Sequence, residues 1–120
     1  MKDEQNTNKP EWLESLDAVI AAPEHHKVLL ENERVRVLDT RITPGASTPV
    51  HTHRWSSVLY ILGMSNFVRF DADGNVVFDS RTAQGLPPAG TILWSPPLPA
   101  HFVKNVGDGE IRVISVELKD

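Results

Sequence analysis

The feature that most constrains the fold of this chain is its punctuation. From residue 27 onward, apolar runs of four to nine residues are cut by turn-forming residues. Turns are signalled at Asn32-Glu33, Pro44-Gly45, Gly63, Asp73-Gly74 and Gly107-Asp108-Gly109, roughly every 8–12 residues, the spacing of an antiparallel sandwich or barrel. Asp73-Gly74 is the strongest, because both residues tolerate the positive φ that a two-residue hairpin turn needs. Strands are therefore expected over residues 27–31, 34–42, 58–62, 66–72, 75–79, 91–94, 102–106 and 111–118. Pro96, Pro97 and Pro99 are expected to fix an extended loop just before His101, between the strands at 91–94 and 102–106. The fold class this implies is all-β.

The N-terminal part reads differently. Residues 1–9 are polar, and from Pro10 to Ala22 the apolar residues Trp12, Leu13, Leu16, Val19 and Ile20 recur at helical spacing before Pro23. Pro10 suits a first helical position. The division expected is a tail and short amphipathic helix over residues 1–24, then one β-domain over residues 25–120.

Composition narrows the function classes. The 120 residues carry a net charge of −4 with basic residues scattered along the chain, which speaks against nucleic acid and anionic membranes as partners. There is no cysteine, so disulfides, thiolate ligands and a cysteine nucleophile are excluded. The first residues hold no apolar core of a signal peptide, and no apolar run approaches the roughly 18 residues of a membrane span. A cytoplasmic location is the expectation.

The chemistry is concentrated in histidine. His51-Thr52-His53 places two imidazoles on one face of a strand, since residues i and i+2 point the same way. Neutral imidazole is the commonest protein metal ligand. The pair closes the segment Gly45-Ala-Ser-Thr-Pro-Val-His51-Thr-His53, and a later segment runs from Gly90 through Pro96 and His101 to Asn105. Together they resemble the two signature motifs of the cupin family: Gly, five spacers and His-x-His, then Gly, five spacers, Pro, a later His and an Asn four residues on. The resemblance covers about residues 27–118. It implies a double-stranded β-helix, or jelly-roll barrel, with His51, His53 and His101 as ligands of one divalent metal ion.

Two positions depart from the pattern. The family's Glu, four spacers after the second motif His, is Val58 here, and the three-spacer position is Ser57. The usual Gly three residues before the later His is Leu98. Three neutral ligands leave the metal charge uncompensated, which favours an anionic substrate at its open positions.

With Val58 in the Glu position, Tyr60 and Leu62 share its cavity-facing side by alternation, and Tyr60 becomes a candidate to hydrogen-bond a substrate. Val103 and Asn105 share a face with His101, Asn105 being better suited to orient a loop, and Trp94 is placed at the pocket wall. His25 and His26, adjacent and so on opposite faces, are read as surface residues. No phosphate loop, nucleophile elbow or zincin helix is present.

The functional expectation is a three-His metal-dependent dioxygenase or related oxidoreductase acting on a small anionic or enolisable molecule. Iron(II) is favoured; zinc, nickel and manganese are the other metals. The alternatives are a non-catalytic binding or structural cupin and a cupin isomerase or epimerase. Small cupins commonly pair, so a homodimer is expected, through the barrel face or the helix of Trp12, Leu16 and Ile20.

Overall fold

A computed structural model of the chain describes residues 12–120. Among these, nine strands follow a short N-terminal segment: β1 (His26–Glu31), β2 (Val35–Ile42), β3 (His51–His53), β4 (Ser57–Gly63), β5 (Phe67–Asp71), β6 (Val76–Asp79), β7 (Ile92–Ser95), β8 (Leu98–Asn105) and β9 (Ile111–Leu118). They form two antiparallel sheets, a five-stranded one in the order β1-β2-β9-β4-β7 and a four-stranded one in the order β3-β8-β5-β6. The all-β expectation holds.

The hairpins form where the turn chemistry demands them. The Asp71 carboxylate accepts from the backbone N–H groups of Asp73 and Asn75, both at 2.9 Å. Gly74 alone takes a positive φ, +91°, so the β5–β6 turn is a longer loop closed by Asp71 N–H to the Asn75 carbonyl and not the two-residue turn expected. Asn32 closes β1 onto β2 by accepting from the N–H groups of Arg34 and Val35. β2 and β9 pair without interruption from Val35 opposite Leu118 to Ile42 opposite Ile111. Leu38, Ile42, Ile61 and Ile111 are buried within the five-stranded sheet.

Two elements differ from expectation. The helix expected over residues 10–22 is broken: a 3-10 turn over Glu14–Leu16 is followed by α1 (Ala18–Ala21), with Asp17 extended between them. The start at Pro10 lies outside the described residues. The physical cause is Asp17, whose carboxylate accepts from Val19 N–H and also takes both arms of the Arg36 guanidinium at 2.9 Å. A bidentate charged pair outweighs the few tenths of a kcal/mol per residue that helical propensity offers. Second, β8 begins at Leu98, inside the proline run. Its pairing with β3 shifts register between His51↔His101 and His53↔Leu98, and Pro99 sits in that irregularity, where a missing N–H costs no ladder bond.

Candidate metal centre

Three strands converge on one point. β3 presents His51 and His53 on a common face, while Thr52 between them points the other way and donates to the Leu16 carbonyl at 3.3 Å, anchoring the N-terminal segment behind the strand. β8 sets His101 opposite His51, with ring centroids 4.4 Å apart. The third strand was not anticipated: β1 begins at His26, which is buried, its ring 4.7 Å from His51 and 5.2 Å from His53. One ring nitrogen each of His26, His51 and His53 lie within 4.8 Å of one another, so these three can hold a metal ion. His101 adjoins that group, 5.7 Å from His53. The structure thus brings the expected trio together and adds a fourth imidazole, correcting the reading of His26 as a surface residue. His25, its neighbour, faces the other way and binds the Arg41 carbonyl.

All four rings are oriented in the same manner. The Nδ1 atoms of His26, His51 and His101 lie 3.0, 2.8 and 2.7 Å from the carbonyls of Ala22, Pro49 and Pro99. A carbonyl can only accept, so each Nδ1 carries the proton and each Nε2 is left as the free lone pair. His53 Nδ1 instead donates to Glu117 Oε2 at 3.1 Å. Acceptors on the far ring nitrogen are what fix the tautomer of metal-ligating histidines and raise their basicity. Glu117 is itself buried and held by Arg36 Nε at 2.6 Å, and Arg36 continues to Asp17. Burial works to raise the Glu117 pKa, but hydrogen bonds from His53 and Arg36 outweigh it and keep the carboxylate below its ordinary value.

The cluster is built for neutral imidazoles. Burial first, and the neighbouring rings second, push His51 down to about 2 and His26 to about 4. Burial likewise lowers His101 to about 4, against the Pro99 hydrogen bond. A buried group of uncharged nitrogen donors suits iron, zinc, nickel and copper, and suits manganese less in the absence of a carboxylate ligand.

The histidines form one wall of a cavity of about 360 Å³ between the two sheets. Its other walls are mostly apolar, including Leu59, Ile61, Phe67 and Val113, with Ser57, Ser115 and Arg69 among the polar exceptions. Val103 lines it as expected. Val58, Tyr60 and Leu62 do not: Ser57, Leu59 and Ile61 are the cavity-facing residues of β4, and Tyr60 is 42% exposed on the opposite face. The three-spacer position, Ser57, is therefore the one that stands where the family's Glu would point. A slip of one residue turns every side chain of a strand to the other face. Trp94 is likewise outside the cavity, 60% exposed, while its β7 neighbours Leu93 and Ser95 line it. Asn105 is fully buried and binds no cavity: it donates to the Ile42 and Gly109 carbonyls and accepts from Gly107 N–H, holding the β8–β9 turn.

No family model and no curated protein sequence matches the chain. Solved structures do. A cupin domain from Bordetella pertussis is 25% identical, with a TM-score of 0.63 over 79% of this chain and 92% of that one. A double-stranded β-helix protein from Klebsiella pneumoniae is 20% identical, TM-score 0.55, over 78% and 70%. A polyketide cyclase from Streptomyces resistomycificus is 20% identical, TM-score 0.53, over 83% and 68%. With both histidine motifs on paired strands of one sheet of a two-sheet barrel, and with these neighbours, the chain has the cupin fold, a double-stranded β-helix.

Proposed function

We propose that the chain is a metal-dependent enzyme of the oxygenase type, acting on a small anionic, enolisable molecule held in the cavity. One observation carries this: the four imidazoles are each anchored through Nδ1 and leave their Nε2 lone pairs at one wall of an apolar cavity. His26, His51, His53 and His101 hold the ion, iron(II) before zinc or nickel, and manganese last. The bound ion supplies Lewis acidity toward an enolate and, if iron, a site for one-electron chemistry with dioxygen. The protein's own contribution is positional. The carbonyls and Glu117 keep the ring protons on the far nitrogens, and Leu59, Ile61 and Val113 exclude water from the reacting group. Tyr60, on the outer face, has no part in the reaction. A cytoplasmic homodimer is part of this proposal. No helix among the described residues is long and apolar enough to cross a membrane.

The test is elemental analysis of tag-free protein beside a His51→Ala/His101→Ala variant, followed by oxygen uptake with diketones, thiols and phenols. About one metal per chain, lost in the variant, with substrate-dependent oxygen consumption, supports the reading. No metal after reconstitution overturns it in favour of a metal-free binding barrel. Metal without oxygen consumption overturns the oxygenase assignment and leaves Lewis-acid chemistry or simple binding.

A further inference from the structure

Two buried side-chain atoms among the described residues have no hydrogen-bond partner, and both belong to residues of the same cavity: Arg69 Nε and Ser115 Oγ. Their coincidence is informative, because buried polar groups are nearly always satisfied and an orphan in a native structure calls for an explanation. Arg69 is the stronger case. It has no ion pair and no side-chain hydrogen bond among the described residues, whereas Arg36, Arg41, Arg81 and Arg112 each meet a carboxylate. Burial, uncompensated, lowers its pKa. A guanidinium nitrogen buried without a partner is costly, and a carboxylate seated in the cavity would supply the missing acceptor.

The location identifies what that anion is attached to. Arg69 lies on β5 directly opposite Val103 of β8, and directly paired residues share a sheet face. Val103 is two residues from His101, so Arg69 is a diagonal neighbour of the imidazole cluster, at about 7–8 Å by backbone spacing. Its positive charge is felt at His101. Ser115 looks into the cavity from β9 in the facing sheet. Between the two the walls are apolar, Phe67 and Leu59 among them.

We infer that Arg69 is the carboxylate-binding residue of the cavity, and that the natural ligand is a small carboxylic acid with an apolar body, its acid group paired with the guanidinium and the rest of the molecule beside the histidines. This deepens the function proposed above by naming its substrate class, and so rests on the same cavity. It does not rest on the metal. Ser115 is free to take a further hydroxyl or carbonyl oxygen on the same ligand. The planar fork of arginine fits two carboxylate oxygens at once, which lysine cannot reproduce.

The experiment uses full-length protein freed of metal with a chelator. Binding of benzoate, phenylacetate and 4-methylpentanoate is measured by calorimetry and thermal shift, each against its neutral amide, on wild type, Arg69→Met and Arg69→Lys. The expected result is that at least one acid binds tenfold or more tightly than its amide, that Arg69→Met erases the difference, and that Arg69→Lys restores only part of it. The ligand-free Arg69→Met protein is expected to melt no lower than wild type, since it loses an uncompensated charge. Equal binding of acid and amide, no binding by any acid, or full retention in Arg69→Met overturns the inference. If Arg69→Met does not fold, the acid-to-amide ratio in wild type and Arg69→Lys decides. Acid binding that appears only in metal-loaded protein, unchanged in Arg69→Lys, also overturns it while leaving the metal reading intact. Failure to load metal leaves the Arg69-dependent binding measurable.

Discussion

Each imidazole of the cluster is fixed twice, by its strand and by the acceptor on its Nδ1, and for His26, His51 and His101 burial ties protonation to folding as well as to metal. His26, His51 and His101 all carry depressed pKa values in the folded chain, near 4, 2 and 4, whereas an unfolded histidine titrates near 6.5. The sign follows directly. Above about pH 6.5 both states hold these rings neutral and their contribution to stability is fully present. As pH falls below that value the unfolded chain takes up protons that the folded chain refuses, and each ring costs about 1.4 kcal/mol per pH unit until its own folded pKa is reached. The metal-free protein is therefore expected to keep a constant urea midpoint from pH 8 to 7 and to lose it steeply between pH 6.5 and 4.5. A flat profile across that lower window, measured by urea unfolding at half-unit steps, contradicts the buried neutral cluster. Bound metal holds the rings unprotonated, so it should move the fall to lower pH.

The N-terminal segment, β2, β9 and β3 are joined by a single chain of charged contacts, Asp17 to Arg36 to Glu117 to His53. Arg36 is its centre: it lies buried with two carboxylates on its donors and 5.1 Å from the Trp55 ring centroid. Arg36→Met leaves two carboxylates without their partner, and breaking such a pair from one side costs about 3–5 kcal/mol. The same variant loosens Glu117, hence the His53 ring, and disturbing such an outer partner typically weakens metal binding 10–100-fold. Urea unfolding and a chelator-competition titration read the two effects separately; stability lost with affinity unchanged would confine the chain of contacts to a structural role. The contacts of this network were not legible in the sequence, because they join residues up to 81 apart and only pairing of β2 with β9 brings Arg36 beside Glu117. What was legible is whatever depends on local pattern: the Asp73-Gly74 hairpin, the strand over residues 111–118, and the His51/His53 face. Parity on β4 was not, since it was set by counting from a family position that proved to be Ser57, and the count was off by one. His26 carried no signal, because β1 is exposed at every residue after it and alternation along the strand marks no buried face. Glu117 had a signal, an acidic residue in register with the inward positions Ile111, Val113 and Ser115 of its strand.

At the scale of the molecule, the two sheets divide the work. The four-stranded sheet carries His51, His53, His101 and Arg69, and the five-stranded sheet carries His26, Glu117 and the wall residues Leu59, Ile61 and Val113. The inner faces being so used, the outer face of β4 and β7 is left with a contiguous apolar surface. Tyr60 pairs with Ile92 and Val58 with Trp94, and Tyr60, Leu62, Ile92 and Trp94 are all at least one-third exposed. β7 is also an edge strand, with backbone donors and acceptors unpaired on one side. Large apolar patches combined with an open edge mark an interface more often than a solvent face. A second copy of the chain fits both features, because a two-fold pairing sets the same patch against itself. Trp94 is 60% exposed and directed away from the cavity, so Trp94→Asp should disrupt the pairing and leave the metal site alone. Light scattering on wild type at micromolar concentration is expected to give twice the chain mass of 13.4 kDa, and the variant the mass of one chain. Metal content per chain should be equal in the two. A monomeric wild type, or a variant that stays paired, rules out this face as the dimer contact. Loss of metal on dissociation would show instead that the partner completes the site, and that the barrel's two jobs are not separable.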